Sequence, residues 1–198
     1  MNPSPPSAVT TRLNLSQRLQ AGPLVMDGAM GTLLNERGIP FNECFELANV
    51  ERKASVAEVH RALLDAGAQG LHTNTFGLNR FRLSGHRLHR RLPEFAEAAA
   101  NVAREVAGAE NYVIASLGPT GVAMEPIGRV AKAEVRQAFI ESARAFDPSV
   151  IDGISLETFS DLFELVEAVR GIRSVSDLPL FAHFTVTGTG TTLMGAYP

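Results

Sequence analysis

The sequence predicts an α/β protein built on a parallel sheet, and within that class it favours a (β/α)8 TIM barrel. Five apolar segments with strand character alternate with helical segments of about 10 to 15 residues, the order that gives a parallel sheet covered by helices. The first of these strands runs into "DGAMGTLL", which has neither the G-x-G-x-x-G fingerprint nor the P-loop lysine of a nucleotide-binding doubly wound sheet. The barrel is therefore the preferred arrangement.

The first predicted elements are a short helix over 15–20 and a buried strand over 23–26. Gly28 and Gly31 follow that strand and permit a tight exit and close backbone approach. The next helix is then expected to begin near Thr32. Residues 1–22 are predicted to be a disordered tail with the short leading helix, and 23–198 to be the N-terminal portion of the barrel.

The next β/α unit is predicted from a capping signal and a strand-like segment. Ser55 and Glu58 have capping-box spacing at the start of an apolar helical repeat, which Gly67 ends. A short strand follows in "QGLHTNTFG". The remaining elements alternate in the same way: helix 93–107, strand 112–121, helix 131–146, strand 150–159, helix 161–172 and strand 178–186.

Composition indicates a globular protein whose partners are small molecules. The 198 residues are 45% apolar and 20% charged with a formal net charge of -3, which gives no reason to expect nucleic acid or an anionic membrane as partner. No segment reaches the ~18 to 20 apolar residues of a membrane span or shows a secretory apolar block. Together with a single cysteine, Cys44, these features predict a cytoplasmic location.

Polar residues follow four of the five predicted strands. The carboxyl ends of barrel strands meet on one face, where (β/α)8 enzymes build their active sites. The alternative interpretation is that the hydroxyl groups only cap the following helices. The two acids differ, because acids after apolar runs need a partner and two on one rim are suited to hold an ammonium group. The residues concerned are Asp27, Thr73, Asn74, Thr75, Ser116, Glu157 and Thr158.

Several long blocks of the chain resemble one known family. They are "MDGAMGTLLNERG", "HRALLDAGAQGLHTNTFGLNR", "ASLGPTG", "LETFSDLFEL" and "TTLMGAYP". In this order and at these separations they look like the signature blocks of homocysteine S-methyltransferase domains, found in cobalamin-dependent methionine synthase, in betaine and S-methylmethionine methyltransferases and in fusions with methylenetetrahydrofolate reductase. "NECFELANV" is most similar to the methionine-synthase-type and reductase-fused branches.

The resemblance implies a (β/α)8 barrel that binds homocysteine at its carboxyl-terminal rim and transfers a methyl group to the sulfur, giving methionine. Asp27 and Glu157 match the family's two amino-acid-binding acids, and backbone groups near Gly28, Thr73 and Asn74 would add hydrogen bonds. In the family Zn²⁺ deprotonates the thiol, so no general base is expected. The methyl donor stays open among methyltetrahydrofolate, methylcobalamin, betaine and S-methylmethionine, supplied as a molecule or by a donor domain.

The chain departs from the family pattern at the metal site. The family's zinc ligands are a Cys after strand six and a Cys pair after strand eight, whereas Pro198 comes just after the fifth predicted strand. No metal ligand is therefore expected here, and Cys44 matches a helix-connecting region. The C-terminal remainder of the barrel is the expected partner of this chain. Without it, the first and fifth strands are expected to be open edges.

Two other functions are alternatives to the methyltransferase. One is a truncated, non-catalytic homocysteine-binding fragment that lacks the zinc-thiolate site. The other is a Schiff-base aldolase, which needs a lysine at a strand end, but Lys53 and Lys132 lie on helical or loop segments. The five histidines show no zincin spacing, with His72 and His183 placed inside strands, and the Arg-rich stretch 80–91 is interpreted as a solvated surface.

Overall fold

A four-stranded parallel sheet organises the molecule. The computed structural model describes residues 12–193 and 195, so the predicted disordered tail and the end of "TTLMGAYP" lie outside the described residues. The strands adjoin one another in chain order and all pairs are parallel, which confirms the predicted α/β class. They are β1 (Gly70–His72), β2 (Tyr112–Leu117), β3 (Gly153–Phe159) and β4 (Leu180–Phe184).

Helices connect the strands, and several lie within about two residues of their predicted bounds. They are α1 (Leu15–Gln20), α2 (Met30–Glu36), α3 (Ala48–Glu51), α4 (Lys53–Asp65), α5 (Arg80–Gly85), α6 (Leu92–Ala107), α7 (Lys132–Arg144) and α8 (Leu162–Arg173), with short 3₁₀ turns at Phe45–Leu47 and His89–Arg91. Asp161 caps α8 by accepting hydrogen bonds from the backbone N–H groups of Phe163 and Glu164.

The predicted first strand, 23–26, is reduced to one parallel bridge between Met26 and Gly70. Pro23 has no N–H to give to a ladder, and the Val25 N–H donates to the side chain of Gln69 at 3.3 Å. Regular pairing is interrupted for these reasons. The segment still lies beside β1, because the Asp27 N–H donates to the carbonyl of Gly70 at 3.1 Å.

The predicted capping box at Ser55 is wrong. Helix α4 begins at Lys53, and its N-cap residue, Arg52, makes no side-chain capping bond. Because α3 ends at Glu51, the chain enters α4 with little intervening loop, and the N–H of Ser55 donates to the carbonyl of Arg52 at 3.0 Å. Ser55 therefore lies inside the first turn and not before it.

Strand alternation gives the sheet an apolar helix-facing side and a second side that becomes polar toward the strand ends. Helix-facing Leu71, Val113 and Leu156 belong to the large core with residues of α6, α7 and α8. On the other side, Tyr112 and Ile114 pack against Leu15 of α1. Residues of the same parity nearer the carboxyl ends are His72, Ser116 and Glu157. The apolar contacts with α1 thus lie at the opposite end from the polar groups.

The sheet ends openly on both sides in the described part of the chain. At one end lies the single bridge at Met26, and at the other β4 pairs only with β3. Ala182, His183 and Phe184 of β4 are exposed. Among the described residues, no helix combines the length and apolar character needed to cross a bilayer.

Candidate active site

A cavity of about 660 Å³ lies at the carboxyl ends of the strands. All five residues predicted to bind substrate line it. The segment between α2 and α3 and the loop after β1 supply much of the remaining wall. The lining includes Asp27, Gly28, Thr73, Asn74 and Glu157, together with Phe41, Cys44, Glu46, His72, Phe76, Arg82 and Ser116.

The imidazole of His72 lies between the two predicted acids. One Asp27 oxygen accepts the His72 backbone N–H at 2.9 Å, and the other is 2.7 Å from His72 Nδ1. On the opposite side of the ring, Nε2 is 3.1 Å from Glu157 Oε1, without the alignment of a hydrogen bond. The structure therefore brings Asp27 and Glu157 together through a histidine that is not among the predicted site residues.

An irregularity in β3 positions Glu157. Leu156 pairs with Ala182 and Phe159 with Phe184, so β3 has one more residue than β4 over this interval. Thr158, which follows Glu157, has a φ of 62°, in the left-handed region that a β-branched residue rarely adopts. Bulges of this kind occur next to active sites, where they redirect a side chain, and the strain is sustained by the surrounding structure.

The ionisable groups around the cavity have shifted pKa values with different causes. Burial alone would lower the pKa of His72, but the Asp27 hydrogen bond and the charges of Glu157 and Asp27 outweigh it and raise the pKa. His60 on α4 is fully buried, and burial lowers its pKa to about 4. Burial and the nearby Glu46 raise the pKa of the Cys44 thiol to about 12, so it is protonated at neutral pH.

The hydroxyl groups after β1 join β1 to β2 inside the protein. Thr73 and Thr75 are both buried, and their hydroxyl oxygens are 2.5 Å apart. Thr73 Oγ1 accepts the Ser116 N–H at 3.1 Å, and Thr75 Oγ1 donates to the Ser116 carbonyl at 2.7 Å. These hydroxyls hold the strand ends in register at the cavity and do not cap helices.

The Asn74 side chain attaches the loop before α3 to the end of β1. Its amide donates to the Phe45 carbonyl at 2.6 Å, and Asn49 donates to the Asn74 carbonyl at 2.8 Å. Glu46 strengthens the same attachment by accepting the Gly77 N–H at 2.6 Å. A Cβ at Gly77 would lie 2.8 Å from the Glu46 carboxylate, so a side chain at this position would push the carboxylate away from the Gly77 N–H.

Some backbone donors in the cavity wall remain unpaired within the described part of the chain. The N–H groups of Gly28 and Asn74 donate to no acceptor in residues 12–193 and 195, whereas the neighbouring Thr73 N–H donates to the Ile114 carbonyl. Asn74 is buried, and buried backbone N–H groups are almost always paired, so its unpaired donor is suited to bind an anionic or carbonyl ligand.

The described residues do not fit a zinc site. Among them no group of three or more His, Cys, Asp and Glu side chains is arranged to hold a metal ion. Cys44 is the chain's one cysteine, and its protonated thiol donates to Glu46 at 3.3 Å, which is unlike the thiolate that binds zinc. The site as described consists of groups for binding a polar ligand.

Comparison with known proteins identifies the family. The model of the homocysteine S-methyltransferase family matches residues 24–197. The chain belongs to the homocysteine S-methyltransferase family. Methionine synthase from Mycobacterium tuberculosis (strain ATCC 25618 / H37Rv) is 34% identical over 199 residues, and that from Mycobacterium leprae (strain TN) is 32% identical. Each match covers 92% of this chain and 16% of the relative, so the chain spans about a sixth of these methionine synthases.

Solved structures show the same fold at low sequence identity. The metallated form of the homocysteine methyltransferase MmuM from Escherichia coli has a TM-score of 0.76 at 19% identity, covering 92% of this chain and 70% of that one. The apo form has a TM-score of 0.67 at 20% identity, covering 87% and 63%. Membership of this homocysteine S-methyltransferase family confirms the resemblance seen in the sequence blocks.

His72 and Glu46 are cavity residues that the sequence analysis did not assign to the substrate site. His72 directly precedes the predicted Thr73 and shares strand parity with the cavity face, a signal that identifies it once the end of β1 is fixed at residue 72. Glu46 lies outside the strands, on a 3₁₀ turn that no periodic pattern marks. Its contact with Gly77 depends on tertiary folding.

Proposed function

We propose that this chain is the homocysteine-binding part of a methyltransferase domain that methylates the sulfur of homocysteine to give methionine. Family membership supports the reaction class, and the parallel sheet supports a (β/α)8 barrel completed by further β/α units. The proposal includes a cytoplasmic location and a methyl-donor molecule or domain as partner. The donor is one of methyltetrahydrofolate, methylcobalamin, betaine and S-methylmethionine.

The observation that carries the proposal is the cluster of two carboxylates around one cavity-lining imidazole. Asp27 and Glu157 supply negative charge for the ammonium group of an amino acid. The N–H groups of Gly28 and Asn74 supply donors for its carboxylate, beside the Thr73 hydroxyl. Zinc would deprotonate the thiol in the complete domain, and the residues described here would bind and orient the amino acid.

The test is calorimetric titration of the 198-residue chain with L-homocysteine. Binding is expected, and 4-sulfanylbutanoate, which lacks only the amino group, is expected to bind at least about tenfold more weakly because it leaves the carboxylates unpaired. The variant Glu157→Gln should weaken homocysteine binding by a similar factor or more. Glu110→Gln, the same change at an exposed position, should leave affinity unchanged. Equal binding of the two ligands would contradict the proposal.

A second candidate is a binding fragment with no catalytic activity. The observation in its favour is that the described residues form no zinc-binding group, while Cys44 is held as a thiol. Zinc content and methionine formation, measured on the purified chain with each donor, separate the two candidates. Stoichiometric zinc with methionine formation would exclude the fragment, and homocysteine binding without either would establish it.

A further inference from the structure

We propose that the substrate amino group binds between His72 Nε2 and Glu157 Oε1, displaces a proton from the imidazole, and reaches Asp27 only through His72. The inference rests on the proposed homocysteine-binding function and deepens it, because it assigns His72 to direct contact with the ammonium group. Asp27 becomes a positioning residue. Homocysteine binding would then replace the positive charge of the His72 imidazolium with that of the substrate ammonium group.

Hydrogen bonding to Asp27 fixes where the imidazole carries its first proton. A carboxylate only accepts hydrogen bonds, so the Nδ1 atom that lies 2.7 Å from Asp27 must be the protonated nitrogen. The second Asp27 oxygen accepts the His72 backbone N–H, which fixes the ring from the same side. In neutral His72 the Nε2 atom is therefore a bare acceptor, on the side of the ring that faces Glu157.

When His72 is neutral, its Nε2 atom and Glu157 Oε1 are two hydrogen-bond acceptors only 3.1 Å apart. Glu157 Oε1 is buried and has no hydrogen-bond partner among residues 12–193 and 195, although His72 Nε2 is its near neighbour. A carboxylate oxygen beside an imidazole lone pair needs a donor between them. Either a second proton on His72 or an ammonium group satisfies both atoms, and an ammonium group offers three donors to do so.

Exposure determines which of the side chains meets the ligand. All three residues line the cavity, but the Asp27 side chain has 0% of its surface exposed, whereas the side chains of His72 and Glu157 are 22% and 25% exposed. A ligand that enters the cavity thus meets the side chains of His72 and Glu157 before the Asp27 carboxylate, and it contacts the buried Glu157 Oε1 once the Glu157 side chain turns toward it. The two predicted acids therefore have different roles. Glu157 contacts the ammonium group, whereas Asp27 lies on the far side of the His72 imidazole.

The charges around His72 keep the site negative before the substrate binds. Asp27 and Glu157 face the ring from two sides, and His60 of α4 lies within electrostatic range of His72 and Asp27. Burial keeps His60 neutral above about pH 5, so it does not compete for the negative charge. Two carboxylates and one imidazolium leave one negative charge at the site, and the incoming ammonium group can donate to Nε2 only after the Nε2 proton has left to solvent.

Calorimetric titration in buffers of different ionisation enthalpy measures how many protons are released for each homocysteine bound. Below the pKa of His72, wild-type protein should release one proton for each homocysteine bound, and its Kd should rise about tenfold for each unit that the pH falls. His72→Gln, which cannot titrate, should bind with no proton release and a flat profile between about pH 5.5 and 8.5. His89→Gln, the same change at an exposed position outside the cavity, should behave as wild type.

A measurement on the wild-type protein avoids dependence on a variant that misfolds. Nitrogen chemical shifts of the His72 ring should show Nδ1 protonated throughout, with Nε2 losing its proton when homocysteine is added at low pH. Homocysteine binding without proton release, or with Nε2 still protonated, would overturn this inference and leave the proposed function intact. Absence of homocysteine binding at every pH would overturn both.

Discussion

At the scale of single residues, two histidines of this site show how a partner changes the effect of burial. His72 is flanked by carboxylates, and its pKa is raised. His60 is fully buried with neither ring nitrogen hydrogen-bonded in the described structure, and its pKa is lowered to about 4. Desolvation disfavours both imidazolium ions, but only His72 has the negative neighbours at hydrogen-bond distance that compensate for it.

His60 should make the protein sensitive to acid. Its pKa is about 4 in the folded state against 6.5 as the ordinary value, so the unfolded chain gains a proton first as the pH falls through this window. The free energy of unfolding should lose about 3 kcal/mol from this group between pH 6.5 and 4. His60→Leu should remove that loss at no cost in hydrogen bonds, as measured by urea denaturation across this range.

His72 does not contribute to the loss of unfolding free energy between pH 6.5 and 4. Its raised pKa contributes stability that is fully present below pH 6.5 and is lost only as the pH rises through the folded value. Carboxylates titrate alike in wild type and variant, so the difference between the two curves isolates His60. His89→Leu, at an exposed position, is the control. Parallel curves for wild type and His60→Leu would show that His60 is not held neutral.

At the scale of elements, the loop before α3 is part of the site because it is attached to the end of β1. Asn74→Ala leaves the Phe45 carbonyl and the Asn49 side-chain oxygen, Oδ1, without the donor that they share. The free energy of unfolding should fall by about 2 to 3 kcal/mol, measured by chemical denaturation, because buried polar groups become unsatisfied. Asn42→Ala, at an exposed position of the same loop, should change it by less than about 0.5 kcal/mol.

The elements also show which features local sequence can predict. Helix α8 and its cap at Asp161 were predictable, because an N-cap residue and an apolar repeat act within a few residues of each other. The loss of regular strand pairing at 23–26 was not predictable, since it depends on a contact with Gln69, which is distant in sequence. The acids Asp27 and Glu157 followed from strand ends, but the contact between them through His72 depends on strand parity and the bulge before Phe159.

At the scale of the whole molecule, the two unpaired sheet edges are the features most open to further contacts. Among the residues that the structure describes, the backbone of β4 pairs with β3 on one side only, and Phe184 and Val186 are 37% and 47% exposed. An exposed apolar edge strand is a template for pairing with another chain. In a complete barrel these edges would be covered, as proposed above, so the isolated chain should associate with itself.

Sedimentation velocity over a range of concentrations tests this expectation. Wild-type chain should show a weight-average mass that rises with concentration, because the edge of β4 offers unpaired N–H and C=O groups. Ala182→Lys places a charge at an exposed position of that strand and should keep the chain closer to a monomer, since charged residues on an edge oppose strand addition. Ala109→Lys adds the same charge at an exposed position away from the edge and should not. Equal suppression by both variants would show that net charge, and not the β4 edge, governs the association.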